Sequence, residues 1–347
     1  MNDLTKNPVM VTGATGYVAG WLIKQLLEMG CTVHACVRNP DDERKLAPLK
    51  SLTNEPQRLR FFKTDLLDEG SYQQAMKGCS VVFHTASPFT IIVDDPQRDL
   101  VDPAVKGTIN VLNTVNDTPS VERVVLTSSV AAIYSDNIDA LTLPKQTFTE
   151  EHWNEHSSLQ HNPYAYSKTV AEKSAWQQVK KQRRWDLVVI NPSFVVGPAL
   201  GAAVTSDSFD VVKKLGDGTL KFGAPHTGIG LVDVQDVANA HIQAAIRPEA
   251  AGRYIVSALN SHLLEMADFL RPNYGTSYPL PKSKTPKFLA WLLGPMVGTT
   301  RKSISRNLGY SWKADNSKSK QELGIEYRSI SEAINAMFAQ LESNNQL

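Results

Sequence analysis

Tyr164 and Lys168 are the residues of this sequence whose types and spacing most clearly suggest chemistry. They stand four positions apart in the run Tyr-Ala-Tyr-Ser-Lys, and a helix would place both side chains on one face. A lysine ammonium lowers the pKa of a neighbouring phenol, and the tyrosine can then transfer a proton to a carbonyl oxygen. Tyr166 competes for this role but has Val170, not a lysine, four residues later. The spacing therefore predicts Tyr164 as a proton donor assisted by Lys168.

Two serines follow an apolar run upstream of this pair. Val124–Thr127 predicts a buried strand, and Ser128 and Ser129 come directly after it. Ligands of open α/β sheets bind at the carboxyl ends of the strands, where a hydroxyl can orient a carbonyl or stabilise developing negative charge. The alternative interpretations are that the serine is only a turn residue and that the Tyr-x-x-x-Lys spacing arises by chance. The agreement of the motifs with one another favours a catalytic role. We predict Ser129, Tyr164 and Lys168 as the catalytic residues.

A glycine-rich turn near the start of the chain indicates a dinucleotide site. Val9–Thr12 predicts a strand and Tyr17–Met29 a helix, with Gly13 and Gly16 between them. Gly13 permits the tight turn, Gly16 lets backbone N–H groups approach a pyrophosphate, and the small Ala19 lets the helix lie close to the sheet. The alternative is a glycine-rich turn that holds no ligand.

The end of the second predicted strand favours NADP(H) over NAD(H) as the cofactor. An NAD site usually has an acidic residue there for the ribose 2′-hydroxyl, but this chain has Arg38 and no acid before Asp41. Arg38 can pair with a 2′-phosphate, with Arg44 or Lys45 as a second cation. A solvated surface arginine is the alternative.

The strands and helices that must position these residues alternate along the first two-thirds of the chain. Near-continuous apolar strands between helices predict an α/β fold with a doubly wound parallel sheet, the Rossmann architecture, and a smaller C-terminal substrate lobe. The predicted strands are Val9–Thr12, Cys31–Val37, Leu59–Phe62, Val81–His84, Val124–Thr127, Leu187–Ile190 and Arg253–Val256. The predicted helices are Tyr17–Met29, Ser71–Lys77, Asp99–Val115, Tyr166–Lys181, Asp207–Leu215 and Val232–Ile246.

Changes in amino-acid composition along the chain suggest the bounds of two domains. Residues 193–230 are rich in Gly, Pro and Thr and predict loops around one helix. We predict an NADP-binding domain of residues 1–192 plus about 231–258, and a substrate-binding lobe of about 193–230 and 259–347. The apolar segment Phe288–Leu293 is expected to pack on this lobe, and a partner-binding site is the alternative.

Composition also excludes several classes of protein. The chain has 347 residues with 36 Lys and Arg against 35 Asp and Glu, so its net charge gives no electrostatic case for nucleic acid or an anionic membrane. No signal peptide or apolar run of about 18 residues is visible, and the three cysteines form no disulfide framework. His152 to His156 matches a zinc-peptidase pattern without a third ligand, and we predict no metal. We expect a soluble, cytoplasmic protein.

Several motifs extend these signals over nearly the whole chain. They are VTGATGYVAGWL (11–22), CVRNP (36–40), DLLD (65–68), FHTASP (83–88), DPAVKGTINVL (102–112), LTSS (126–129), YAYSK (164–168) and NPSFVVGP (191–198). In these motifs the chain resembles the extended short-chain dehydrogenase/reductases, within the group of dihydroflavonol reductase, cinnamoyl-CoA reductase and yeast-type methylglyoxal (ketone) reductases. DPAVKGT is the most discriminating, because sugar-nucleotide epimerases of this fold resemble Asn-Val-x-Gly-Thr there.

The resemblance implies an NADPH-dependent reductase of aldehydes or ketones that acts as a monomer or homodimer, with a small carbonyl substrate and neither nucleic acid nor membrane as partner. The implied cofactor-binding residues are Thr12, Gly13, Thr15, Gly16, Tyr17, Val18, Arg38, Lys45, Asp65, Leu66, Thr85, Ala86, Ser87, Tyr164, Lys168, Pro192 and Ser193. The implied substrate-binding residues are Ser87, Phe89, Tyr134 and Phe194. Tyr134 stands where plant flavonoid reductases carry Asn, which favours simpler aldehydes or ketones. A nucleotide-sugar epimerase or dehydratase and a non-catalytic NADP sensor are the alternatives.

Overall fold

The chain folds into twelve strands and twelve α-helices within residues 3–87, 93–201 and 206–347, the parts that the computed structural model describes. The strands are β1 (Val9–Thr12), β2 (Val33–Val37), β3 (Leu59–Lys63), β4 (Val81–His84), β5 (Arg123–Thr127), β6 (Thr147–Phe148), β7 (Asp186–Pro192), β8 (Phe194–Val196), β9 (Gly228–Asp233), β10 (Gly252–Val256), β11 (Leu259–His262) and β12 (Lys313–Ala314). The helices are α1 (Tyr17–Glu28), α2 (Glu43–Lys50), α3 (Gln73–Met76), α4 (Asp102–Asn116), α5 (Pro163–Val179), α6 (Asp207–Gly216), α7 (Val234–Ile246), α8 (Leu263–Tyr274), α9 (Lys287–Leu293), α10 (Arg301–Asn307), α11 (Ser317–Glu322) and α12 (Ile330–Ser343).

Seven parallel strands form the central sheet in the order β10-β7-β5-β4-β1-β2-β3. The strand order reverses at β1, which pairs with β2 on one side and β4 on the other. In such sheets the crevice at the carboxyl ends of the strands beside this reversal is where ligands bind. The predicted doubly wound parallel sheet is confirmed, and the glycine turn lies at this crevice.

Alternate side chains of the central strands pack against helices on opposite faces of the sheet. Val9 and Val11 of β1 point to the face covered by α1, α2 and α7. Met10, between them, points to the face covered by α3, α4 and α5. Both faces of the sheet are therefore buried, which explains why its strands read as continuous apolar runs.

A second, three-stranded sheet of order β11-β9-β8 supports the C-terminal part of the chain. Its apolar face packs with α6, α8 and α12 around Leu231, Met266 and Phe338. The prediction that residues 193–230 form only loops around a helix was wrong, because β8 and the start of β9 lie there. Local sequence patterns do not predict these strands, because β8 has only three residues and two of the first three residues of β9 are glycines, Gly228 and Gly230.

The apolar segment on α9 does not pack on the lobe as predicted. The helix has no buried residue, and most of its large apolar side chains lie on the surface. None of the helices within the described ranges is long and apolar enough to cross a bilayer.

Candidate active site

The carboxyl ends of β1 and β4 are held together by hydrogen bonds between their side chains and backbone. The Thr12 hydroxyl lies 2.9 Å from His84 Nδ1 and accepts the Ala86 N–H at 3.0 Å. The Thr85 hydroxyl donates to the Thr12 carbonyl. Burial and the nearby Lys168 ammonium lower the pKa of His84 to about 3, so the imidazole is neutral. Three predicted cofactor residues, Thr12, Thr85 and Ala86, thus meet at the floor of the crevice.

The glycine turn between β1 and α1 is tightly packed and leads into a helix N-terminus without a side-chain cap. Gly13 has φ +64°, and a Cβ on it would lie 3.0 Å from Ala86 Cα. A Cβ on Gly16 would lie 3.0 Å from the Gly13 carbonyl. No side chain caps the N-terminus of α1, and its first turn has no acid. These features fit a pyrophosphate, because uncapped N–H groups and the helix dipole attract anions.

A cavity of about 370 Å³ opens beside this turn. Thr15, Gly16, Arg44 and Lys45 are among its lining residues. The Lys45 ammonium also lies 3.7 Å from the Asp42 carboxylate. Both candidate second cations are therefore next to the glycine turn, where they can meet phosphate groups.

The other residues predicted at this end of the cofactor site have different surroundings. Arg38 is exposed directly after β2 and does not line the cavity. The Tyr17 hydroxyl donates to the Gly197 carbonyl, and Val18 packs partly buried beside the core. Asp65 accepts the Leu67 N–H at 2.8 Å.

The predicted catalytic tyrosine and lysine share one face of α5. This helix begins at Pro163, earlier than predicted, because the Asn162 side chain caps it and proline is preferred at the first helical position. Lys168 Nζ lies 5.9 Å from the centre of the Tyr164 ring and donates to Ser87 Oγ at 2.8 Å. Tyr164, Lys168 and Ser87 thus lie together.

The surroundings of Tyr164 and Lys168 shift the pKa values of both side chains. Desolvation raises the pKa of Tyr164, Asp207 adds to the rise, and a hydrogen bond with the Ser129 hydroxyl opposes it. The Tyr164 side chain lies in an open cleft, with 51% of its surface exposed. Desolvation lowers the pKa of Lys168 to about 8. The pKa of Tyr164 is thus raised, not lowered as its spacing to Lys168 predicted, because desolvation is the larger effect, and the lysine is close to its titration point.

A second cavity of about 380 Å³ reaches the lysine from the α4 side of the sheet. Leu66, Ala86, Ser87 and Lys168 are among the residues that line it. Pro192 ends β7, and the buried Ser193 hydroxyl that follows has no hydrogen-bond partner among the described residues. An unpaired buried hydroxyl is costly unless a ligand satisfies it, so Ser193 fits a polar group of a cofactor.

The predicted substrate-binding residues are not all gathered at the site. Tyr134 stacks on Phe148, with ring centres 5.0 Å apart, and contacts Trp312 at 4.4 Å. Phe194 begins β8 and packs on the core of the lobe. Phe89 lies outside the described residues.

A buried ionic cluster behind the catalytic serine was missed by the sequence analysis. Glu172 pairs with Arg253, Oε1 to Nε 2.6 Å, and accepts hydrogen bonds from Ser128 Oγ at 2.5 Å and Asn191 Nδ2 at 2.8 Å. Asn191 also donates to the Ser129 carbonyl at 3.1 Å. Ser128 is therefore turned toward Glu172, whereas the Ser129 hydroxyl accepts the Ala131 N–H at 3.1 Å. The available signal was Glu172 itself, a carboxylate one helical turn after Lys168 on the same face of α5.

Comparison with known proteins gives consistent similarities. A sequence model of the NAD dependent epimerase/dehydratase family matches residues 9–257. Cinnamoyl-CoA reductase CAD2 of Medicago truncatula is 43% identical over 279 residues, 80% of this chain and 83% of that protein. Tetraketide alpha-pyrone reductase 1 of Arabidopsis thaliana is 41% identical over 283 residues, which are 81% of this chain and 85% of that protein. The solved structure of yeast methylglyoxal/isovaleraldehyde reductase Gre2 complexed with NADPH is similar with a TM-score of 0.78 and 28% identity, covering 98% of this chain and 100% of that one.

Proposed function

The chain belongs to the NAD dependent epimerase/dehydratase family, as an extended short-chain dehydrogenase/reductase of the predicted group, and we propose that it is an NADPH-dependent carbonyl reductase. Its substrate would be an aldehyde or ketone, which it converts to the alcohol. The observation that carries this proposal is the shared face of α5, with Lys168 Nζ 5.9 Å from the Tyr164 ring centre and 2.8 Å from Ser87 Oγ. A proton donor of this kind serves reduction of a C=O group.

The residues of the chain have separate tasks in this reaction. NADPH, when bound, supplies the hydride. Tyr164 donates its phenolic proton to the substrate oxygen, and the Ser129 hydroxyl holds that oxygen in place. The Lys168 ammonium stabilises the phenolate left on Tyr164. The neighbouring Ser87 hydroxyl holds Lys168 in position.

Several groups at the crevice suit NADPH. The uncapped N-terminus of α1 would hold the pyrophosphate, and Arg38, Arg44 and Lys45 would meet the 2′-phosphate. Thr12, Thr85, Ala86, Pro192 and Ser193 would complete the nicotinamide side, with Asp65 and Leu66 at the adenine. Support comes from the Gre2 structure, which contains NADPH.

The lobe built on β8, β9 and β11 would bind the substrate, beside Ser87, Tyr134 and Phe194. The names of the relatives include a cinnamoyl-CoA reductase and a tetraketide alpha-pyrone reductase. A substrate panel therefore should contain simple aldehydes, diketones, a dihydroflavonol and cinnamoyl-CoA.

The test is the rate of NADPH consumption with each substrate, with the alcohol product identified. We expect turnover of at least one carbonyl compound, with NADPH preferred over NADH. Epimerisation of a nucleotide sugar without net consumption of NADPH would contradict the proposal. Tight NADPH binding without turnover of any substrate would instead indicate a sensor.

A further inference from the structure

The exposed apolar side chains of α9 continue into the turn that follows it. We call this surface the apolar patch; its residues are Phe288, Leu289, Trp291, Leu292, Leu293 and Met296. Phe288 is 74% exposed and Met296 is 82% exposed. Phe222, which is 87% exposed, lies nearby because Ala224 pairs with Lys284 just before α9. Contiguous exposed apolar side chains on a folded protein mark an interaction surface.

The base of the patch is fixed to the rest of the protein. Arg306 of α10 pairs with Asp136, Nε to Oδ2 2.5 Å, and Asn307 donates to the same carboxylate at 2.7 Å. Lys287 Nζ donates to the Ser305 carbonyl at 3.1 Å and thereby joins α9 to α10. These polar contacts therefore hold the segment that carries the apolar side chains in place on the protein.

The charged residues of the chain segment that carries the patch have one sign. From Phe269 to Ala314 the sequence has eight Lys and Arg and no Asp or Glu. The remainder of the chain then has 28 Lys and Arg against 35 Asp and Glu, a formal charge of −7. The near-zero net charge of the whole chain hides this separation. The expectation of no membrane partner rested on that net charge, on the lack of an apolar run of about 18 residues and on the family resemblance, and none of these considers local charge.

Five of these cations flank the patch in the sequence and have no acidic partner in the parts of the chain that the structure describes. They are Lys282, Lys284, Lys287, Arg301 and Lys302. The Arg301 guanidinium lies 4.5 Å from the Trp291 ring centre, which places a cation directly beside an exposed aromatic ring. Arg271 and Arg306 are already paired with aspartates.

We propose that the apolar patch and its cations dock the protein on the surface of an anionic lipid bilayer. Exposed Phe, Trp and Leu side chains would enter the boundary between headgroups and acyl chains, and lysines and arginines would meet the lipid phosphates. The one-sign charge favours a lipid surface over an apolar protein partner, since anionic headgroups attract every cation around the patch. This docking is peripheral and does not require a spanning helix.

Vesicle co-sedimentation of the whole protein tests the proposal. We expect binding to phosphatidylcholine vesicles with about one-third phosphatidylglycerol, and much weaker binding to pure phosphatidylcholine. Raising the salt from about 0.1 M to about 1 M should weaken binding, because the screening length falls to about 3 Å. No binding to the anionic vesicles at low salt would overturn the proposal.

Two double variants separate the charge from the apolar contribution. Lys282→Glu with Lys302→Glu should weaken binding to the anionic vesicles at least about 25-fold, since each lost cation is worth about fivefold. Phe288→Ser with Leu292→Ser should weaken it as well while the carbonyl reductase activity and melting temperature stay unchanged. Met29→Ser with Leu141→Ser, a matched pair of exposed apolar residues elsewhere, should bind as the parent does.

The same variants distinguish lipid from a second copy of the chain. If the parent fails to bind vesicles and forms a dimer that Phe288→Ser with Leu292→Ser dissociates, measured by light scattering, the patch is a protein interface. Vesicle binding that both patch variants retain in full would also contradict the proposal.

Discussion

Glu172 and Arg253 form an ion pair next to the predicted catalytic residues, with both side chains almost completely buried. The carboxylate lies on α5, which carries Tyr164 and Lys168, and the guanidinium lies on β10 at the edge of the central sheet. Through Ser128 and Asn191 the same carboxylate also contacts the strand ends next to Ser129. The pair thus links the elements that hold the three side chains predicted to be catalytic.

Breaking this pair should destabilise the protein and slow the reaction. Glu172→Gln leaves the Arg253 charge buried without compensation, and such changes cost about 3–5 kcal/mol of the free energy of unfolding. We expect this loss in urea unfolding, together with a fall in kcat as Ser129 and Tyr164 lose their alignment. Glu151→Gln, at an exposed glutamate, is the control and should change neither quantity. Unchanged unfolding for Glu172→Gln would refute the linking role.

Replacing the proton donor tests the assigned chemistry. Tyr164→Phe removes one oxygen from the site, so NADPH binding should persist while kcat falls about 10²–10⁴-fold. Lys168→Ala should lower both kcat and NADPH affinity, measured by fluorescence titration. Tyr166→Phe should have little effect. Near-normal turnover by Tyr164→Phe with an inactive Tyr166→Phe would mean that the other tyrosine is the donor.

The pH profile of the reductase should report Lys168. Desolvation lowers the pKa of this ammonium to about 8, so the lysine loses its charge as the pH rises through that value. The phenolate on Tyr164 then loses stabilisation, and kcat/KM should decline above about pH 8. Lys168→Arg keeps its charge at all accessible pH values, so the decline should move to higher pH in that variant. A flat profile through this range in the parent would contradict the role of the lysine.

Cofactor preference should depend on Arg38. Arg38→Asp turns attraction for the 2′-phosphate into repulsion, and a lost charged hydrogen bond costs about 1.5–3 kcal/mol. We expect KM for NADPH to rise about tenfold to a hundredfold with KM for NADH nearly constant. Arg44→Asp and Lys45→Asp measured alongside identify which cation on α2 shares the contact. Equal kinetics with both cofactors before and after the Arg38 change would overturn the NADP assignment.

The aromatic ring of Tyr134, and not its hydroxyl, should determine its effect on stability and substrate preference. Because it stacks on Phe148 and contacts Trp312, Tyr134→Phe should retain both stability and substrate preference. Tyr134→Ala should alter the ranking of bulky against small substrates by kcat/KM without a change in NADPH affinity. A lower melting temperature with an unchanged ranking would assign the residue to packing alone.

Local sequence patterns were sufficient for the central sheet, and they selected Tyr164 and Lys168, which the structure places on one face of α5. Val9–Thr12 and Val81–His84 were predicted with the observed bounds, because each is a short apolar run next to a turn. Ser129, Tyr164 and Lys168 followed from one strand end and one helical spacing. The start of α5 was missed by three residues because the Asn162 cap and Pro163 were not used as signals.

What the sequence could not supply depends on distant contacts. Arg253 and Glu172 are 81 residues apart, and no local periodicity relates a sheet arginine to a helix carboxylate. The small sheet pairs β9 with β11 and β8, two short strands whose partners are set by the tertiary fold. The exposure of α9 could not be read from its apolar composition, since a buried and an exposed apolar helix have the same residues.

The two sides of the central crevice offer independent targets for protein engineering. The candidate 2′-phosphate cations lie at the end of β2 and on α2, whereas the substrate lobe is built on β8, β9 and β11. Libraries that randomise Arg38, Arg44 and Lys45 for use of the cheaper NADH can therefore be constructed and screened separately from libraries in the lobe. Improved variants from the two screens can then be combined, and additive effects are expected where the changed side chains lie more than about 7–10 Å apart.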